Sequence, residues 1–253
     1  MSRPWFLLRG LVRESAHWGA FLPAFRAAFP DDEVHCLEIP GNGSLYRAVT
    51  PLSVPAMLEE VRAQARAIAP GRSPARILAL SLGGMIAHEW AQRHPRELAG
   101  IVLGNTSFGG YSLPYERLAP TSVLPLIRSS LARTLEERER QLLGVTSSRK
   151  ELHAALSIEW AQIDRLRPVG RVNALRQLLA AVRYRPLRTP PSVPQLILCG
   201  LGDRFVDPAC SRAIHRAWNA PYRAHPTAGH DLTLDAGDWV IAQIRGWLSD
   251  GAR

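Results

Sequence analysis

The sequence predicts an α/β protein: a doubly wound, mostly parallel sheet of about six strands with a helical insertion. Three observations lead there. Short apolar runs of strand length recur between stretches of helical period. One run, Ile77–Leu80, leads into Ser81-Leu82-Gly83-Gly84, a serine followed by glycines where strand gives way to helix. The alternation then stops between about residues 109 and 190, where only helical patterns remain.

Trp5–Leu8, Val34–Ile39, Ile77–Leu80, Ile101–Gly104 and Gln195–Cys199 are apolar almost throughout rather than alternating, as strands buried on both faces are. Tyr222–His225 is a weaker sixth. In Val54–Ile68 the apolar positions Val54, Met57, Leu58, Val61, Ala65 and Ile68 share one helical face. Ser53 suits its N-cap and Pro55 its first turn. Leu82–Arg93 reads as a helix ending before Pro95, and Trp239–Leu248 as a terminal amphipathic helix. In the insertion, Pro114, Pro120 and Pro125 precede helical stretches near Leu131–Leu143, Glu151–Asp164 and Val172–Tyr184. The chain is expected to divide into a core of residues 1–108 and 191–253 and an inserted unit of residues 109–190.

At 253 residues, 46% hydrophobic and 21% charged, the chain can bury a full core as one large α/β domain. No run approaches the ~18 apolar residues of a membrane span. Trp5–Leu8, cut off by Arg9, is too short for a secretory segment, so no membrane partner is expected. Cys36, Cys199 and Cys210 are odd in number, with no C-x-x-C pair and no histidine at ligand spacing. Free thiols in a reducing cytoplasm follow, with no disulfide, metal or cofactor. The net charge is +9, yet no nucleic-acid signature accompanies it, so a nucleic-acid partner is not expected. Between Tyr111 and Pro190 there are fourteen basic and seven acidic residues, leaving +7 of the +9 in that segment. Either this is a solvated, arginine-rich surface, or it is a docking face for coenzyme A or an acidic acyl carrier protein.

Ser81 has the setting of a nucleophile elbow, with Ala79 and Gly83 small enough for the sharp turn. Downstream, Asp203 lies three residues past the strand-ending Gly200, and Gly229-His230 follows the weak sixth strand. A serine hydroxyl is a poor nucleophile at neutral pH. A histidine can take its proton during attack, and an acid can orient and charge-balance the imidazole. Asp207 rivals Asp203 for the acid, and Asp231 is read as capping the turn after His230.

The order Ser81, Asp203, His230 resembles that of the α/β-hydrolase superfamily over almost the whole chain. Other segments add to the likeness: Leu8-Arg9-Gly10-Leu11 to the family's His-Gly loop, Glu38-Ile39-Pro40-Gly41-Asn42-Gly43 to its Asp-x-Pro-Gly-x-Gly segment, and Pro95–Leu103 to the approach to the strand after the nucleophile helix. The likeness extends to small capped cytoplasmic esterases such as the pimeloyl-carrier-protein methyl ester esterases. It implies hydrolysis of a carboxylic ester or thioester through an acyl-enzyme, with the insertion as a cap. It also implies an oxyanion hole from the backbone N–H groups of Leu11 and Leu82. A lyase or carbon–carbon hydrolase on the same triad, or a non-catalytic binding protein, are the alternatives. Three departures stand out: Ala79 at the first glycine of G-x-S-x-G, Arg9 in place of histidine, and Val12 in place of a frequent glycine. The leading antiparallel strands of the family are also missing. Arg9 either reaches a substrate carboxylate or pairs with an acid. His17, Asn105 and Trp160 are further candidates for substrate contact.

Overall fold

A computed structural model describes residues 3–71 and 74–251. Its sheet consists of β1 (Trp5–Leu8), β2 (Val34–Leu37), β3 (Ala75–Leu80), β4 (Leu98–Gly104), β5 (Gln195–Gly200) and β6 (Tyr222–His225). They lie in the order β2-β1-β3-β4-β5-β6, every neighbouring pair parallel. The six expected strands are all present; β3 and β4 start two and three residues earlier than the apolar runs suggested.

Side-chain alternation divides each strand between two cores. Trp5 and Leu7 of β1, with Leu78 and Leu80 of β3, pack under α1 (Phe21–Ala28) and α10 (Leu232–Ser249), against Phe21, Phe25, Val240 and Ile244. Phe6 and Leu8, with Ile77 and Ala79, face α2 (Val54–Ile68), α3 (Leu82–Arg93) and α9 (Ala209–Trp218), against Met57, Leu58, Ile86 and Ile214. Apolar residues on both faces make the strand runs continuous in sequence. Ser53 caps α2 by accepting from the Ala56 N–H, and Pro55 sits in its first turn.

The insertion between β4 and β5 holds α4 (Pro114–Arg117), α5 (Pro120–Leu131), α6 (Leu135–Thr146), α7 (His153–Leu166) and α8 (Arg171–Arg183). The expected helix Leu131–Leu143 is corrected here, because it straddles the break between α5 and α6. Pro120 begins α5 where the missing N–H costs nothing, Pro125 lies inside it, and Thr134 caps α6 by accepting from the Glu137 N–H at 3.1 Å. The terminal helix likewise begins at Leu232 rather than Trp239, with a kink at Ala236.

Polar clasps hold the insertion to the sheet loops. Gln177 of α8 donates to Asn42 at 2.7 Å and accepts from the Val12 N–H at 2.9 Å. Arg13 pairs with Glu139 at 2.6 Å, and Arg167 with the buried Glu14 at 2.5 Å. Among the described residues no helix is long and apolar enough to cross a membrane.

Sheet order reverses between β1 and β3. Such a switch point opens a crevice at the carboxyl ends of the strands. Leu8-Arg9-Gly10 and Leu80-Ser81 emerge there side by side.

Candidate active site

Ser81 sits between β3 and α3 with φ 52° and ψ −119°, a conformation that L-residues rarely adopt. The surroundings hold it there. Its N–H donates to Gly104 O at 2.9 Å, and its carbonyl accepts from Thr106 Oγ1 at 2.8 Å. The small neighbours are sterically required. A Cβ on Gly83 would lie 2.5 Å from the Arg9 carbonyl oxygen and 2.7 Å from that of Leu8. A Cβ on Gly10 would lie 2.9 Å from Ser81 Cβ. The first turn of α3 therefore rests on the loop after β1, with Gly10 beside the serine side chain.

Leu82 opens α3, so its N–H has no partner within the helix. Leu11 lies in a turn closed by the Arg13 N–H donating to Gly10 O at 3.3 Å. Val12 in that turn has φ 51°, the left-handed region that favours glycine. Its hydrogen bond to Gln177 helps to keep this strained turn in place.

Asp203 leaves the end of β5 in a loop tied to the next strand's exit: the N–H groups of Leu201 and Gly202 donate to His225 O and Ala228 O, each at 2.9 Å. Its Oδ2 lies 2.7 Å from His230 Nδ1, and its Oδ1 accepts from the Phe205 and Val206 N–H groups at 2.8 and 2.9 Å. Both carboxylate oxygens are thus occupied and the orientation is fixed. Asp207 instead accepts from the Ala209 N–H at 2.7 Å and starts α9.

Ser81, His230, Arg9 and Leu11 line one mostly apolar cavity of ≈ 490 Å³, together with Phe205 and residues of α5, α6 and α8. The exposed Arg133 and Arg171 stand at its margin. Among the described residues no group of three or more His, Cys, Asp or Glu is placed to hold a metal ion.

Of the four residues considered for substrate contact, Arg9 lines the cavity; His17, Asn105 and Trp160 do not. The Arg9 guanidinium is taken up by Asp231, at 3.0 and 2.6 Å. Asp231 also caps α10 as expected, accepting from the Leu234 N–H. Burial alone would raise the Asp231 pKa, but the Arg9 charge and its hydrogen bonds outweigh that and hold it below the ordinary value.

His17 accepts at Nδ1 from the Glu14 N–H and packs edge-on against Trp160, with ring centroids 4.9 Å apart. Desolvation, with help from the Arg13 charge, drives its pKa well down. Trp160 is buried beneath the Arg13 guanidinium, 4.4 Å away. Asn105 is a brace: Nδ2 donates to the carbonyls of Gly229 and His230, both at 2.9 Å, and Oδ1 accepts from the Gly200 N–H at 2.9 Å. It joins the two loops that carry Asp203 and His230. Sequence reasoning missed this role. The available signal was an asparagine at a strand end, the residue type that best tolerates the left-handed φ of 47° seen here.

A model of the alpha/beta hydrolase family matches residues 6–243. The chain is similar to the pimeloyl-[acyl-carrier protein] methyl ester esterase of Edwardsiella ictaluri, 28% identical over 244 residues and covering 89% of each chain. It is similarly related to the enzyme of that name from Aeromonas hydrophila, 28% identical over 241 residues, 87% of this chain and 89% of that one. The enol-lactonase from Burkholderia xenovorans LB400 superposes with a TM-score of 0.77 at 17% identity, over 98% of this chain and 92% of that one, a likeness of fold alone.

Proposed function

Because the chain belongs to the alpha/beta hydrolase family and is an ester hydrolase of it, we propose that Ser81, His230 and Asp203 cleave a carboxylic ester or thioester through an acyl-enzyme. The observation that carries this reading is the 2.7 Å contact of His230 Nδ1 with Asp203, which leaves Nε2 as the ring nitrogen free to serve Ser81 in the shared cavity.

His230 Nε2 takes the Ser81 hydroxyl proton as Oγ bonds to the substrate carbonyl carbon, and the carbonyl π pair moves onto oxygen. The backbone N–H groups of Leu11 and Leu82 stabilise that oxyanion. As the pair returns, the C–O or C–S bond breaks and the imidazolium delivers its proton to the departing alcohol or thiol. Water then repeats the sequence on the acyl-enzyme: His230 accepts its proton, and Ser81 leaves with that proton.

The core, residues 1–108 and 191–253, carries the three reacting side chains, and the insertion, residues 109–190, acts as a cap over them. The apolar cavity between them suits an acyl chain. The Edwardsiella and Aeromonas relatives are named for an acyl chain on a carrier protein. The +7 charge of the cap, with Arg133 and Arg171 at the cavity margin, suits an acyl group delivered on coenzyme A or an acidic carrier. Turnover of a panel of p-nitrophenyl esters, acyl-CoA thioesters and carrier-bound acyl methyl esters tests the assignment. Selective turnover of the carrier-bound or CoA forms supports it, and hydrolysis of none of the panel contradicts it.

A further inference from the structure

Arg9 and Asp231 form a buried, bidentate ion pair across 222 residues of chain, with N···O distances of 3.0 and 2.6 Å. Their side chains are only 4% and 6% exposed, so the pair is held out of water, where its geometry is most constraining. Thr233 Oγ1 accepts a further hydrogen bond from Arg9 at 3.3 Å, and the Trp18 ring lies 4.9 Å from the guanidinium carbon. The charge of Arg9 is thus balanced by Asp231 within the protein. The pair also lies where three pieces of the site meet. The Arg9 backbone abuts Gly83 in the first turn of α3, Arg9 precedes Gly10-Leu11 directly, and Asp231 directly follows His230.

We infer that Arg9 is a positioning residue whose ion pair with Asp231 fixes the oxyanion loop against the His230 loop and cancels the Asp231 charge beside the catalytic imidazole. This rests on the triad reading above. Charged groups that share the cavity with His230 are Asp231 at the start of α10, Arg9 and Arg13 on the loop after β1, Arg138 of α6, and the exposed Arg133 and Arg171; Asp203 lies on the loop after β5, and Asp235 of α10 holds the Gly229 N–H beside His230. Asp203 bonds the ring directly. Arg13 and Arg138 have acidic partners in Glu139 and Asp164 at 2.6 and 3.1 Å, and Asp235 accepts from Ser147, Ser148 and Gly229. Removing one member of the Arg9–Asp231 pair therefore changes the net charge at His230, and removing both does not.

The test compares the pH dependence of kcat/KM for the parent, Asp231→Asn, Arg9→Lys and the double variant Arg9→Met/Asp231→Asn. Fluorophosphonate labelling of Ser81 in the parent serves as the reference. Asn fills the space of Asp and can still cap α10, but it leaves the buried Arg9 cation unpaired at a cost in stability; the double variant, which leaves no lone buried charge, keeps the test readable if the single variant folds poorly. Asp231→Asn strands the Arg9 cation and is expected to lower the midpoint of the acid limb by roughly half to one pH unit. The double variant should return that midpoint to the parent value while kcat stays about 10–100-fold down, because the tether is gone. Arg9→Lys keeps the charge but not the fork, so it should keep the midpoint and lose kcat. Parent-like kcat and midpoint in Asp231→Asn, or a midpoint still low in the double variant, would overturn the inference alone. A parent that is not labelled at Ser81 would instead overturn the triad reading, and this inference with it.

Discussion

His230 Nδ1 meets Asp203 Oδ2 at 2.7 Å, while Asp207, four residues along the same loop, turns its carboxylate to the Ala209 N–H at 2.7 Å. One acid orients the imidazole and the other caps a helix. Asp203→Asn should lower kcat by ~10³ to 10⁴-fold through loss of the correct tautomer and charge. Asp207→Ala should leave kcat near the parent value and cost about 1 kcal/mol of stability, the worth of a cap. Steady-state kinetics and thermal unfolding of the two variants check this, and the reverse ranking would show that the acid is Asp207.

The two glycines around Ser81 should respond differently to alanine. At Gly83 the added methyl meets backbone oxygens of Leu8 and Arg9, which move only if strand or helix moves. Gly83→Ala should therefore lose stability, by about 1–3 kcal/mol, and activity together. At Gly10 the methyl meets Ser81's own Cβ at 2.9 Å. Gly10→Ala should displace the hydroxyl and cut kcat by ~10 to 100-fold with a smaller drop in Tm. Melting curves and kcat, measured on the same preparations, separate the two effects.

The sheet and the residues proposed to react were legible in the sequence because both are written locally. A strand buried on two faces must be apolar throughout, as Ile77–Leu80 and Gln195–Cys199 are, and a tight serine turn must have small neighbours, as Ala79 and Gly83 are. What stayed hidden depends on distant partners. Asn105 looked like a substrate contact because nothing near it in sequence reveals that it braces Gly200, Gly229 and His230. Arg9 left two readings open because its acid lies 222 residues away. In the insertion, Pro120 and Pro125 were expected to precede the first helical stretch, yet both lie in α5. The short helix α1, built on Phe21 and Phe25, also escaped notice.

Acid should weaken the fold through His88. This side chain is fully buried, stacked on Trp218 and hydrogen-bonded to Tyr184 Oη at 2.8 Å. Desolvation lowers its pKa to about 3, against roughly 6.5 for the unfolded chain. The folded form refuses a proton that the unfolded form accepts. The contribution of His88 to stability is therefore complete above about pH 6.5 and is lost progressively as pH falls toward 3, by up to about 1.4 kcal/mol per unit. His17, also depressed, adds to the same trend. Tm recorded from pH 7.5 to 4.5 should fall with acid, and His88→Gln should flatten the slope. An unchanged slope in that variant would remove His88 as a cause.

Salt should discriminate between substrates. If the cap receives an acidic carrier or coenzyme A, kcat/KM on such substrates should fall steeply between low and physiological ionic strength, while a small neutral ester barely responds. Arg167 is unsuited to a charge-reversal test because it pairs with the buried Glu14. Arg133→Glu and Arg171→Glu, at the exposed cavity margin, should reproduce the loss without affecting the small ester. An equal salt response for both substrate types would leave a small-ester hydrolase with no docking role for the cap.

The proposal that Ser81 is the nucleophile is tested by mass-spectrometric mapping of the adduct formed with a fluorophosphonate, alongside kcat of Ser81→Ala. One adduct is expected, on the peptide containing Ser81, with a loss of ~10⁴-fold or more in the alanine variant. A stable adduct on another serine, or full activity without the Ser81 hydroxyl, would contradict it.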